Sequence, residues 1–162
     1  MELYSKEEIE SINKNKESND KLEEYFQKSR EEWSTKLEPL FESVKIKLDK
    51  TTSDKIIESQ SYALSYKQIL SEQISVFLNK RSKEDVKMKK IRQNKFLHYA
   101  TGFGLKTNLS EKTLLIDAHI AENERTIQLI DIHIEFLRDC SKNLNNLHFI
   151  IKNIIELYNY LK

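Results

Sequence analysis

Asn108 to Leu161 reads NLSEKTLLIDAHIAENERTIQLIDIHIEFLRDCSKNLNNLHFIIKNIIELYNYL, and its apolar spacing decides the fold. Ile120, Ile127, Ile134, His148 and Ile155 recur in steps of seven, and Ile130, Leu137, Leu144, Ile151 and Tyr158 form a second series three residues out of phase. Asn123 and Ser141 interrupt the pattern. A heptad seam of this kind specifies a long helix that buries one stripe against other helices. Asn108-Leu109-Ser110-Glu111 fits a capping box at its start. Unbroken from Leu109 to Leu161, the helix has 53 residues, which is roughly 80 Å at about 1.5 Å per residue. Leu147, Ile154 and Leu161 add a second apolar row at the C-terminal end. One neighbouring helix covers only part of two rows. Ile134, Leu137, Leu144, Leu147, Ile151, Ile154, Ile155, Tyr158 and Leu161 are therefore expected to join subunits of a homo-oligomer.

Both glycines of the chain lie in Thr101-Gly102-Phe103-Gly104. Glycine takes positive φ freely, so this is the natural tight turn between two long helices. The helix before it is expected to start at the capping signal Thr51-Thr52-Ser53-Asp54 and to run to about Tyr99. Its inward positions are Ile56, Ala63, Leu70, Ile74, Phe77, Met88 and Ile91, interrupted by Gln60, Lys67, Arg81 and Glu84. This seam turns polar toward its basic end, which is expected to leave the Lys and Arg there for a partner.

Further toward the N-terminus, Leu22, Phe26, Ser29, Trp33, Leu37, Leu40 and Val44 line one helical face. Thr35-Lys36-Leu37-Glu38 reads as a capping box, which predicts a bend near Thr35 and a restart with Pro39 in the new first turn. A kinked continuous helix is the alternative. Up to Thr35 there are ten acids against six bases. Apolar anchors are few before about Leu22, so both an ordered helix and a frayed, disordered tail are open there. The reading divides the chain into an acidic helical N-terminal region, 1–50, partly disordered at its start, and a helical hairpin, 51–162, that holds the heptad seam and the basic stretch taken up below.

Two glycines and one proline in 162 residues, with 33% charged and 38% hydrophobic residues, point to an all-α protein of long antiparallel helices, oligomeric through its heptad-patterned C-terminal helix. Cys140 has no cysteine partner. No apolar run approaches the roughly 18 residues of a membrane span, and Met-Glu-Leu-Tyr-Ser-Lys-Glu-Glu is no signal peptide, so a cytoplasmic setting is expected.

Motifs of catalysis are missing. There is no HExxH, Gly-rich phosphate loop, CxxC or GxSxG. His98, His119, His133 and His148 are 21, 14 and 15 residues apart, and none has a carboxylate three residues before it. The expectation is a protein without enzymatic activity, cofactor or metal. His148, inside the heptad seam, reads as a hydrogen-bonded core histidine, and Cys140 as a small buried apolar group.

Charge gives the chain its most distinctive stretch. Between Lys80 and Lys112 there are ten Lys/Arg and three acids, a balance of +7 on a chain of net charge +1. Lys87, Lys89, Lys90, Arg92 and Lys95 fall within nine residues, and Phe96, Tyr99 and Phe103 follow. Cations beside flat rings suit phosphates and unstacked bases, which makes this segment a candidate surface for single-stranded DNA. The competing reading is a coiled-coil scaffold or assembly protein whose lysines are merely solvated. Tyr99 has two roles open to it, stacking on a base or packing the helix junction.

Lys95-Phe96-Leu97-His98-Tyr99-Ala100-Thr101-Gly102, a basic helix ending in aromatic-x-Thr/Ser-Gly, resembles the signature of the UvsY-type recombination mediators of T-even-like bacteriophages. Leu114 to Ala118, Phe136-Leu137-Arg138-Asp139 and Ile151-Lys152-Asn153-x-Ile155-Glu156 fall in similar order and spacing. The likeness runs from about Tyr62 to Tyr160, with Ala100 where the family often carries a second aromatic. The resemblance implies a helical, non-enzymatic protein that assembles into closed homo-oligomeric rings and binds single-stranded DNA. It also implies a role in loading a RecA-like recombinase onto strands coated by single-strand binding protein. The family's DNA-binding positions carry over to Arg92 and Lys95, and more loosely to Lys89 and Lys90.

Overall fold

The described residues form three helices: α1 from Lys6 to Ser43, α2 from Lys50 to Thr101 and α3 from Leu109 to Tyr160. The structure, a computed structural model, describes residues 6–45, 50–101 and 109–160, and among these there is no strand. The Gly102–Gly104 turn and the Asn108 cap lie outside the described residues. No described helix is long and apolar enough to cross a membrane.

α1 runs without interruption through the expected restart. Thr35 is mid-helix and its Oγ1 donates to the Glu31 carbonyl, so it caps nothing. Burial overrides the local capping pattern, because Trp33, Leu37 and Leu40 are all buried and a restart would turn one side of that face away. Pro39 lies inside α1, four residues before its end at Ser43, where its missing N–H removes the intrahelical bond to the Thr35 carbonyl, a loss that the burial of this face outweighs. The segment before Leu22 is helical from Lys6.

Packing divides the chain into two compact units, each drawing a segment from all three helices. One comprises residues 6–25, 77–101 and 109–132 among those described; the other comprises 26–45, 50–76 and 133–160. In the first unit α2 runs antiparallel to α3, since Arg81 meets Asp131 while Arg92 meets Asp117. In the first unit Lys95 meets Glu8 while Arg125 meets Asp20 and Glu23. In the second Trp33 meets Gln73 while Phe26 meets His133.

The second unit holds the larger apolar core. Phe26, Trp33, Leu37 and Leu40 of α1 and Ile56, Ala63 and Leu70 of α2 are buried, as are Ile134, Leu137, Leu144, Leu147 and Ile151 of α3. The Trp33 indole N–H donates to Gln73 at 3.0 Å, and its ring stands edge-on to Tyr66. Buried line and heptad part company after Leu137. From there α3 takes a three-residue step to Cys140 where the heptad requires four, and the line continues through Leu144, Leu147 and Ile151. Three-residue steps of this kind overwind a heptad seam. The strict register would have buried Ser141 and His148, whose polar groups cost free energy to desolvate. His148 is consequently exposed, with Nδ1 3.4 Å from Gln60 Nε2, and the core-histidine expectation is corrected. Cys140 is buried as expected, and burial pushes its thiol pKa up, assisted by Asp139.

The histidine that does occupy a core is His133. It is fully buried and stacks on Phe26 with ring centroids 4.1 Å apart. Burial, and secondarily the nearby Arg30 charge, push its pKa down to about 4. In the unfolded chain an imidazole titrates near about 6.5. The unfolded state therefore takes up a proton first as pH falls, and stability present above about pH 6.5 is lost progressively toward pH 4. Thermal melts across this window should show the decline in the wild type, and His133→Leu should flatten it while keeping the neutral-pH melting temperature.

Candidate nucleic-acid interface

The basic end of α2 falls in the first unit, where the core is smaller and more polar. Phe77, Tyr99, Ile116, Ile120, Ile127 and Ile130 are buried there together with Asn19 and Asn123. Met88 and Ile91 are half-buried, as are the interrupting residues Arg81 and Glu84. α2 thus reaches its cationic segment with one side turned to α1 and α3 and the other to solvent, and the two sides treat their charges differently.

On the inner side the cations are spent within the chain. Arg81 Nε donates to Asp131 at 2.6 Å. Arg92 Nη2 lies 3.3 Å from Asp117 and 3.6 Å from Glu124, both on α3. Lys95 donates to the Glu8 carboxylate of α1, with 20% of its side chain exposed. The polar seam of α2 is therefore matched by acids of its neighbours, which corrects the expectation that it leaves these cations without partners in the chain. Tyr99 is buried, its hydroxyl 2.9 Å from His119 Nε2. Burial, then the adjacent Lys95 charge, hold the His119 pKa below its ordinary value. Of its two possible roles Tyr99 takes the packing one.

The outer side is different. Lys80, Lys83, Lys87 and Lys90 are all exposed, and steps of three and four place them on one helical face. Ten residues separate the ends of this ridge, about 15 Å along the axis. Lys87 has Glu84 at 3.7 Å and Lys89 has Asp85 at 2.7 Å, both on the same helix. Lys80, Lys83 and Lys90 form no ion pair among the described residues. Past Lys90, on another face of the helix, Phe96 is 49% exposed and Leu97 60%, so of Phe96 and Tyr99 it is Phe96 that solvent, or a base, can reach. Phe103 lies outside the described residues. Of the six residues singled out from sequence, Lys87, Lys89 and Lys90 stand at the surface, Arg92 is exposed but ion-paired, and Lys95 and Tyr99 face inward. Lys80 and Lys83 join the surface group. Their spacing from Lys87 and Lys90 was the signal available for them.

The described residues among those expected to join subunits sit in the second unit. Ile134, Leu137, Leu144, Leu147 and Ile151 are buried by the chain itself, Ile154 and Tyr158 are half-buried, and Ile155 is 40% exposed. Leu161 lies outside the described residues. The second apolar row of α3 is largely the continuation of its buried line after the step at Cys140. Apolar surface near the end of α3 is instead supplied by Phe149, Ile150, Leu157 and Tyr160, all exposed.

The packing role of Tyr99 has a measurable consequence. In chemical denaturation Tyr99→Ala should cost roughly 3–5 kcal/mol as a large aromatic truncation in a core. Tyr99→Phe should cost about 1 kcal/mol, since it removes the hydroxyl facing His119 and keeps the ring. Beyond the chain itself, no family model, curated protein or solved structure matches it.

Proposed function

We propose that this chain is a non-enzymatic single-stranded DNA-binding protein that contacts the strand along the lysine ridge of α2. The observation that carries the reading is the division of charge on that helix. Inward-facing cations are matched by carboxylates of α1 and α3, while Lys80, Lys83 and Lys90 stand exposed and without ion pairs among the described residues. Exposed ammonium groups in a row attract phosphates in a sequence-independent and salt-sensitive way. Phe96 is exposed six residues beyond Lys90 on another face of α2, and it offers a stacking surface to a strand that crosses the helix there. With the resemblance to UvsY-type mediators, the proposal extends to loading a RecA-like recombinase onto strands held by single-strand binding protein. The working form is a homo-oligomer, a ring, in which several ridges act on one strand and weak sites add by avidity.

A second reading, a helical scaffold without nucleic-acid binding, draws on the ion pairs of Arg92 and Lys95, since cations so engaged serve packing. The two readings part on one experiment. Lys83→Ala with Lys87→Ala and Lys90→Ala removes three exposed charges and no buried contact, so melting temperature should hold. Affinity for single strands should fall, and the slope of log K against log salt should flatten by about 2, at about 0.7 per phosphate. Phe96→Ala should cost about 1–3 kcal/mol of binding with the slope unchanged. Unaltered binding by the triple variant, or none by the wild type at low salt, decides for the scaffold.

A further inference from the structure

We propose that the first half of α1, residues 6–25, is an electrostatic latch. It occupies Lys95 and Arg125 with its own carboxylates and yields them to single-stranded nucleic acid that competes for the same charges. This rests on the binding reading above and adds a regulation to it.

Three observations lead here. The segment is acidic, with seven Asp/Glu against four Lys. Its acids reach across to the other two helices: Glu8 accepts from Lys95 on α2, while Asp20 and Glu23 lie 3.0 and 2.9 Å from Arg125 on α3. These contacts neutralise two cations within the unit that carries the lysine ridge.

The third observation concerns what holds the segment down. Among its described side chains Asn19 alone is buried, Ile12 and Leu22 are half-buried, and Ile9 is 48% exposed. Asn19 Nδ2 donates to the Glu122 carbonyl and carboxylate, and its Oδ1 accepts from Thr126. The remainder of α1 is anchored otherwise, by buried Phe26, Trp33, Leu37 and Leu40. Attachment of residues 6–25 is thus mainly polar. The Arg125 pairs are exposed and the Lys95–Glu8 pair is part-buried; exposed ion pairs contribute little each and weaken with salt, and all three present charges for which a polyanion can exchange, as it could not for a buried aromatic. Local opening of such a weakly buried segment needs no unfolding of the rest.

The test compares the full-length wild type with Glu8→Gln/Asp20→Asn/Glu23→Gln, using a thymidine homo-oligonucleotide as probe. Freeing Lys95 and Arg125 for two more phosphates should tighten binding at low salt and steepen the salt slope by about 1.4, at about 0.7 per phosphate. Between about 50 and 200 mM salt the variant should then lose roughly sevenfold more affinity than the wild type does. Lys95→Ala should matter little in the wild type and should remove about half the gain in the triple variant. Hydrogen exchange of residues 6–25 in the wild type should stay slow while the strand fills the lysine ridge and accelerate only at oligonucleotide concentrations well above that, where the strand begins to displace the latch. Should the triple variant lose its helical circular dichroism, Glu8→Gln alone carries the test with half the slope change. A folded variant that binds no tighter than a wild type which does bind overturns the latch and leaves the function standing. Failure of both proteins to bind at low salt removes the function and the latch with it.

Discussion

The buried line along α3 is the constraint on which the other helices depend. A helix of 52 residues has little stability in water by propensity alone, and its amphipathic face must be covered. From Ile116 to Ile151 the line takes the apolar side chain at each turn, with Asn123 and His133 as buried exceptions. Where the heptad would have brought in Ser141 and His148, it moves by one position to Cys140 and Leu147. Segments of α1 and α2 supply the covering side chains, so most of the α3 seam is used up inside one chain.

Charge follows a similar logic of two faces. α2 keeps its cations in register with acids on its inner side and in a row on its outer side. The inner pairs, half-exposed to solvent in the case of Arg92, are individually weak. They align the helices and also keep the inner cations close to the surface that the outer lysines occupy. A chain of net charge +1 can in this way hold a concentrated positive ridge and still be nearly neutral as a whole.

Helix content and helix position were legible in the residues because they depend on local features. The scarcity of glycine and proline excluded sheet, Thr51 to Asp54 marked the start of α2 within a few residues, and the spacing from Ile120 to Leu137 identified the buried face of α3. Of the inward list for α2, Ile56, Ala63, Leu70 and Phe77 repeat every seven residues and are buried, while Ile74, Met88 and Ile91 are half-buried. The clustering of lysines between Lys80 and Lys90 is also a property of sequence, and their common face follows from helical periodicity.

Partners far apart in the chain were decided by tertiary structure alone. Glu8 and Lys95 are 87 positions apart, and Asn19 and Glu122 are 103; no local pattern contains either pair. The continuity of α1 through Thr35 and Pro39, the step at Cys140 and the inward turn of Tyr99 each depend on which neighbour covers a face. Periodicity states that a stripe is apolar. It does not state whether a second helix of the same chain or a second subunit lies against it, because both bury the same surface by the same hydrophobic effect.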